Sequence, residues 1–192
     1  HVVSYAERGE DWEGAAALRQ SCASVSLLPL DPVAAAARCA RALATGGPLV
    51  AAYFGDPRLR GAARAAAGAD TDVLWVCNGA LFAGLADVPA RHRVVDLVDV
   101  DSDKWRQLAA ASRQPLAALY RREARLTREQ EDDARRRAGR CVVVSAAEAA
   151  LLRSLEPALA PPAVIAAAVD LDCWRRTGIV AAPRLLFTGT LD

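Results

Sequence analysis

Short apolar runs alternate with longer segments of mixed polarity along most of the chain. The runs fall at 1–6, 24–30, 72–77, 93–99, 140–145, 162–167 and 184–188. Some, such as "RCVVVS" at 140–145, carry almost no polar interruption. A strand that is apolar at every position has both faces buried, as in a parallel sheet covered by helices on each side. The intervening segments, 10–21, 32–45, 56–67, 79–85, 103–138 and 146–155, have helix length. Strands and helices in alternation predict an α/β fold: a parallel sheet with right-handed helical crossovers and helices on both faces.

Segment 103–138 is too long for one crossover helix. Pro115 should break it, because proline supplies no N–H and its ring clashes with the preceding turn. Beyond the break, Leu116, Leu119, Tyr120, Glu123 and Leu126 space an apolar seam that fades. The pairs Glu131–Arg135, Asp132–Arg136 and Asp133–Arg137 then follow, each acid four residues before its base. Such pairs stabilise an exposed helix by about 0.2–0.5 kcal/mol each. The charge run therefore reads as a solvated helix face closed by Gly139.

One junction does not fit a plain strand-to-helix transition. In "VVDLVDVDSDKWRQLA", residues 94–109, four acids cut through an apolar run and its exit: Asp96, Asp99, Asp101 and Asp103. Lys104, the only lysine of the chain, stands among them. Helix chemistry accounts for part of this. Asp101 or Ser102 can cap a helix, and Asp103 suits its first turn, where the dipole favours an acid. That leaves Asp96 and Asp99 inside the apolar run. In open parallel sheets ligands bind beyond the carboxyl ends of the strands. Asp99, Asp101, Ser102 and Lys104 would lie at that edge, with Trp105 packing the helix or stacking on a ligand. The cluster is too linear to cage a metal by itself. General-base chemistry or hydrogen bonding to sugar hydroxyls suits it better. A second junction, "SAAE" at 145–148, reads as a capping box of Ser145 and Glu148, whose helix start would face the same crevice.

Composition narrows the rest. A chain of 192 residues suffices for one substantial domain. It is 53% hydrophobic but only 5% aromatic, which predicts a core of Ala, Leu and Val. The formal net charge of +1 calls for neither nucleic acid nor an anionic surface. The cysteines at 22, 39, 77, 141 and 173 form no C-x-x-C pair and read as free thiols in a reducing compartment, with no metal site. No apolar stretch reaches the length of a membrane span, and no signal-peptide pattern opens the chain. There is no Met, the first residues already read as a strand, and "PRLLFTGTLD" at the end reads as a strand entering a glycine turn. These ends predict a fragment.

The strings "VVDLVDVDSDKWRQLA", "LYRREARL", "CVVVSAAEAALLRSL", "VDLDCWRRT" and "LLFTGTLD", in this order, resemble a branch of glycosyltransferase family 4. It is the branch of sugar transferases associated with exosortase (PEP-CTERM) and exopolysaccharide loci. The resemblance covers nearly the whole chain, and the D-V-D-S-D-K-W string is its most specific part. It implies a GT-B fold, in which two Rossmann-like domains face each other across a cleft. It also implies a retaining transfer that needs no metal or other cofactor. Residues 1–180 would then be most of the N-terminal, acceptor-binding domain, without its first strand and Gly-rich loop. Residues 181–192 would begin the nucleotide-sugar domain, with Gly189 at its first phosphate-facing turn.

On this likeness Asp99 and Asp101 are the catalytic candidates. Ser102, Lys104, Trp105, Ser145, Glu148 and Gly189 are the substrate-binding ones. The partners would be a nucleotide-sugar donor, held by the second domain, and a glycan or lipid-linked acceptor, without nucleic acid. The setting would be cytoplasmic, with peripheral contact at the inner face of the plasma membrane. Two departures stand out. Asp99 occupies about the place where the wider family often has a His. Ala167 and Ala168 precede Val169 and Asp170 where the family usually has Asn-Gly. The main alternative is a non-catalytic glycan-binding module derived from such an enzyme. A small nucleotide-binding regulator is less supported, since no G-x-G-x-x-G follows a strand.

Overall fold

The computed structural model describes residues 1–7, 9–68 and 70–168. The predicted strand at 184–188, the boundary at 180/181, Asp170 and Gly189 lie outside the described residues. Elements alternate as the pattern predicts: β1 (Val2–Ala6), α1 (Gly9–Ser21), β2 (Val25–Pro29), α2 (Pro32–Thr45), α3 (Leu49–Phe54), α4 (Pro57–Ala66), β3 (Val73–Cys77), α5 (Gly79–Leu85), β4 (His92–Val98), α6 (Asp101–Ala111), α7 (Leu116–Arg137), β5 (Arg140–Val143), α8 (Ala146–Leu155) and β6 (Ala163–Val164). Every strand pairing among the described residues is parallel. The fold is α/β and Rossmann-like, with parallel strands flanked by helices.

Local chemistry sets the helix boundaries. The Asp31 carboxylate accepts from Val33 N and Ala34 N at 2.9 and 3.1 Å, Pro32 starts α2, and Gly46 at φ +83° ends it. The same Asp-Pro device starts α4 at Asp56 and Pro57. Both use a side-chain acceptor for orphan amides and a proline where its missing N–H costs nothing. Helix α3 has no counterpart among the predicted elements. It spans six residues, fewer than two turns, too short for a helical period to show. Pro115 separates α6 from α7, as expected.

The described strands do not form one continuous sheet. β1 and β2 pair alone, while the second sheet runs β3–β4–β5–β6. The core lies on the second sheet, where Phe82, Val88, Val95, Val100, Val143 and Leu152 are fully enclosed by α5, α7 and α8. Aromatic residues contribute only Phe82 to this set; the rest is aliphatic, as the composition predicts.

Helix α7 corrects one expectation. The run from Glu131 to Arg137 is not a solvated face, because Glu131, Asp132 and Arg135 are all buried. Only Asp133–Arg137 behaves as an exposed four-residue pair, at 2.9 Å. Arg135 instead reaches the carbonyls of Leu152 and Ala160 and pairs with Asp132, tying α7 to α8 and the segment after it. Asp132 also pairs with Arg128 at 2.9 Å. Glu123, another buried acid of α7, accepts from Leu49 N and from Arg122. Burial of a charge is tolerated where it is paired and hydrogen-bonded. Spacing along the helix could not show that neighbouring elements supply those partners.

Candidate functional site

At the carboxyl ends of β3 and β4 lies a cavity of about 240 Å³. Asp99, Asp101, Lys104 and Trp105 line it, together with Asn78, Thr127, Gln130 and Glu131. The chain reaches this geometry through two unusual backbone positions. Asn78, which caps α5 by accepting from Ala80 N at 2.8 Å, has φ +80°. Val98 has φ +63°. Positive φ at a β-branched residue is disfavoured sterically. The register shifts between Asp96 and Val98, the Asp96 carboxylate accepts from Val98 N at 3.0 Å, and Asp99 N donates to Leu97 O at 2.7 Å. Asp96 therefore braces the bulge that turns Asp99 toward the cavity. Bulges of this kind re-aim side chains at the ends of strands.

The loop after the bulge is fixed from outside by two glutamates. Glu148 Oε2 accepts from Val100 N at 2.8 Å. Glu131 accepts from Ser102 N at 2.9 Å and from Ser102 Oγ at 2.5 Å. Val100 occupies the N-cap position of α6 and brings no side-chain cap. The expected cap from Asp101 or Ser102 is thus replaced by a carboxylate from α7, which satisfies a first-turn amide and a buried hydroxyl together. Burial pushes the Glu131 carboxyl above the usual range, and the two bonds from Ser102 offset only part of that push. Asp103 is the first-turn acid the sequence predicts. Its bonds from Arg106 Nε (2.7 Å) and Gln107 Nε2 (2.6 Å) hold it below the usual carboxylate range.

Lys104 Nζ bridges Asp99 Oδ2 at 2.8 Å and Asp101 Oδ1 at 3.1 Å. Partial burial opposes the ammonium charge, but the two aspartates outweigh it and raise its pKa above the ordinary lysine value. Two carboxylates against one ammonium leave the cavity mouth with an excess of acceptors and net negative charge. Trp105 packs against Tyr120 with ring centroids 5.5 Å apart and planes tilted by 37°, joining α6 to α7, and it also lines the cavity. On α7, Thr127 Oγ1 and Gln130 Oε1 are buried without a hydrogen-bond partner among the described residues. A buried polar atom without a partner costs roughly 1–3 kcal/mol. Both residues border the cavity, but these two atoms have no accessible surface and do not open onto it.

The predicted site residues therefore divide into three groups. Asp99, Asp101, Lys104 and Trp105 converge on one cavity. Ser102, Ser145 and Glu148 support it. Ser102 turns to Glu131, Ser145 Oγ caps α8 by accepting from Glu148 N at 3.1 Å, and Glu148 steadies Val100. Gly189 lies outside the described residues. Sequence reasoning missed Asn78, Thr127, Gln130 and Glu131. Asn78-Gly79 carried a turn signal at the end of a strand. The three residues of α7 carried none, because only tertiary packing lays that helix across the cavity. Among the described residues, no group of three or more His, Cys, Asp or Glu could hold a metal ion. No helix among them is long and apolar enough to cross a membrane. No family model, curated protein or solved structure matches the chain.

Proposed function

We propose that the cavity binds a hydroxyl-rich ligand and that the chain is the acceptor-binding half of a retaining glycosyltransferase resembling family 4. The observation that carries this reading is the Asp99–Lys104–Asp101 bridge on the wall of one small cavity at the carboxyl ends of β3 and β4, where acceptors outnumber the ammonium. A neutral sugar offers alternating donors and acceptors that suit such walls. A phosphate does not, since the carboxylates outnumber the ammonium. In the proposed complex Asp99 and Asp101 accept from sugar hydroxyls and Lys104 donates to one. In a longer polypeptide a second domain would bring the nucleotide-sugar donor to the open side, and close positioning of the two substrates would supply much of the rate. A lipid-linked acceptor would place its sugar here and leave its lipid outside.

A second reading, a glycan-binding module that transfers nothing, is favoured by one feature. Lys104 engages both aspartates, so each carboxylate already has a cationic partner before any substrate proton arrives. Titration of the chain with neutral oligosaccharides, followed by amide chemical shifts, tests the common core of both readings. Saturable shifts at Asn78, Asp99–Lys104 and Thr127–Glu131 are expected. Asp99→Asn should weaken binding about 10–100-fold, as expected for loss of a hydrogen bond to a charged group. It should move the melting temperature little, because exposed ion pairs contribute only about 0–1 kcal/mol. Absence of saturable binding to any neutral oligosaccharide by the folded chain would sink the proposal.

A further inference from the structure

The cavity at the ends of β3 and β4 has room for one sugar ring, since its volume of about 240 Å³ is below the roughly 300–1,000 Å³ of sites that enclose drug-sized ligands. Its side-chain acceptors are unevenly placed. Asp99 and Asp101 are partly exposed and stand at the mouth with Lys104. Farther in, the acceptors are taken or turned away. Both Glu131 oxygens accept from Ser102, and Asn78 Oδ1 accepts from Ala80 N. Thr127 Oγ1 and Gln130 Oε1 have no accessible surface. The rest of the lining is largely carbon. Buried Leu97 contributes to it with Val50, Ala80 and Trp105, and exposed Leu108 continues it to the surface. Gly79 makes room for Leu97, since a Cβ there would meet Leu97 Cδ2 at 2.7 Å.

An apolar lining behind an acidic mouth discriminates among sugars. A hydroxyl turned inward gives up its water and finds no free side-chain acceptor for its proton. A methyl group in the same place gives up nothing and buries apolar surface. We infer that the cavity selects a 6-deoxy sugar, which carries a methyl group where the parent hexose has its exocyclic hydroxymethyl, with ring hydroxyls at Asp99, Asp101 and Lys104 and the methyl group against the apolar lining. The inference rests on the sugar-binding reading above and names the class of sugar within it. The exocyclic position is the one that can enter, because it projects beyond the ring and leaves the ring hydroxyls at the mouth. Loss of a ring hydroxyl would instead take a donor away from the two acids. An N-acetyl group would bring an amide N–H that the lining cannot pair. Apolar pockets of this kind discriminate against an added hydroxyl by about 100-fold at most.

The test titrates the full chain with hexoses and their 6-deoxy counterparts: glucose and quinovose, galactose and fucose, mannose and rhamnose, each pair matched in configuration and taken in both enantiomeric series. Amide shifts at Asn78, Leu97 and Asp99–Lys104 report binding. In every pair that binds, the 6-deoxy sugar should bind about 10–100-fold more tightly. The double variant Val50→Thr/Leu108→Ser adds hydroxyls to the lining. It should cut that preference to about threefold or less, mainly by raising the affinity for the hexose. Val33→Ser, at an exposed position outside the lining, should leave the preference unchanged. Should the double variant not fold, the ratio within each pair still decides. Equal binding within the pairs, or a preference for the hexose, would overturn the inference and leave the sugar-binding reading standing. A preference that survives intact in the folded double variant would overturn it too, as would saturation by an oligosaccharide with no binding of any 6-deoxy sugar. If the folded chain binds no neutral sugar of either kind, the reading beneath the inference falls with it.

Discussion

Replacing Glu131 separates the structural role of the acid-rich loop from its ligand chemistry. In Glu131→Ala, Ser102 N–H and Ser102 Oγ lose their shared acceptor inside a region where Ser102 is 5% exposed. Leaving a buried donor unpaired costs about 1–3 kcal/mol. The hydroxyl can rotate toward another acceptor, so the amide dominates, and a loss of about 2–4 kcal/mol is expected for the pair together. For a chain of this size that corresponds to a fall in melting temperature of roughly 4–16 °C, at about 2–4 °C per kcal/mol. Glu131→Gln keeps one acceptor for the amide and offers an N–H₂ to the hydroxyl, so it should lose less than about 1 kcal/mol at neutral pH. The two variants also differ from the parent in pH dependence. The folded-state pKa of Glu131 is raised, so the folded state binds its proton more tightly than the unfolded chain does. This contribution to stability is fully present below the unfolded value and is lost as pH rises through the folded one. Glu131→Gln lacks that loss. Its stability relative to the parent should therefore improve as pH rises from about 4 toward neutrality. Thermal melts of the parent and both variants across that range read all of this. An Ala variant melting within about a degree of the parent, or a Gln variant as damaged as Ala, would refute the assignment of Glu131 as the external cap of α6.

Three further outcomes follow from other residues. Asp103 has a depressed pKa, so its contribution is present above the unfolded carboxylate value and lost as pH falls through the folded one; Asp103→Asn should flatten acid-induced destabilisation in melts below about pH 4. Val98→Gly should be neutral or stabilising, because relief of a left-handed β-branched residue, about 1–2 kcal/mol, offsets the extra entropy of glycine, whereas Val95→Gly in the same strand should unfold the chain; comparative urea melts decide between the two patterns. The purified 192-residue chain should transfer no sugar from any nucleotide-sugar, since the proposal assigns donor binding to a second domain; a radiolabel transfer assay showing product would overturn that division of labour.

The sequence alone determined the alternation of strands and helices, the break at Pro115 and the placing of acids at the exit of β4. These are local properties: hydrophobic period, missing amides and side-chain caps act within a few residues and leave a mark at that spacing. It also pointed to Asp99, Asp101, Lys104 and Trp105, because acids inside an apolar run have no local explanation. Tertiary structure decided the rest. It turned Asp96 into the brace of a bulge and Ser102 into the anchor for Glu131. It converted part of a charge run on α7 from the expected solvated face into a buried wall. It divided the described strands into two sheets. Each of these depends on a partner distant in the chain: 29 residues separate Ser102 from Glu131, and 48 separate Val100 from Glu148. A carboxylate that caps its own helix and one that caps another look alike in sequence. Only the packing of α7 and α8 against the end of the sheet distinguishes them.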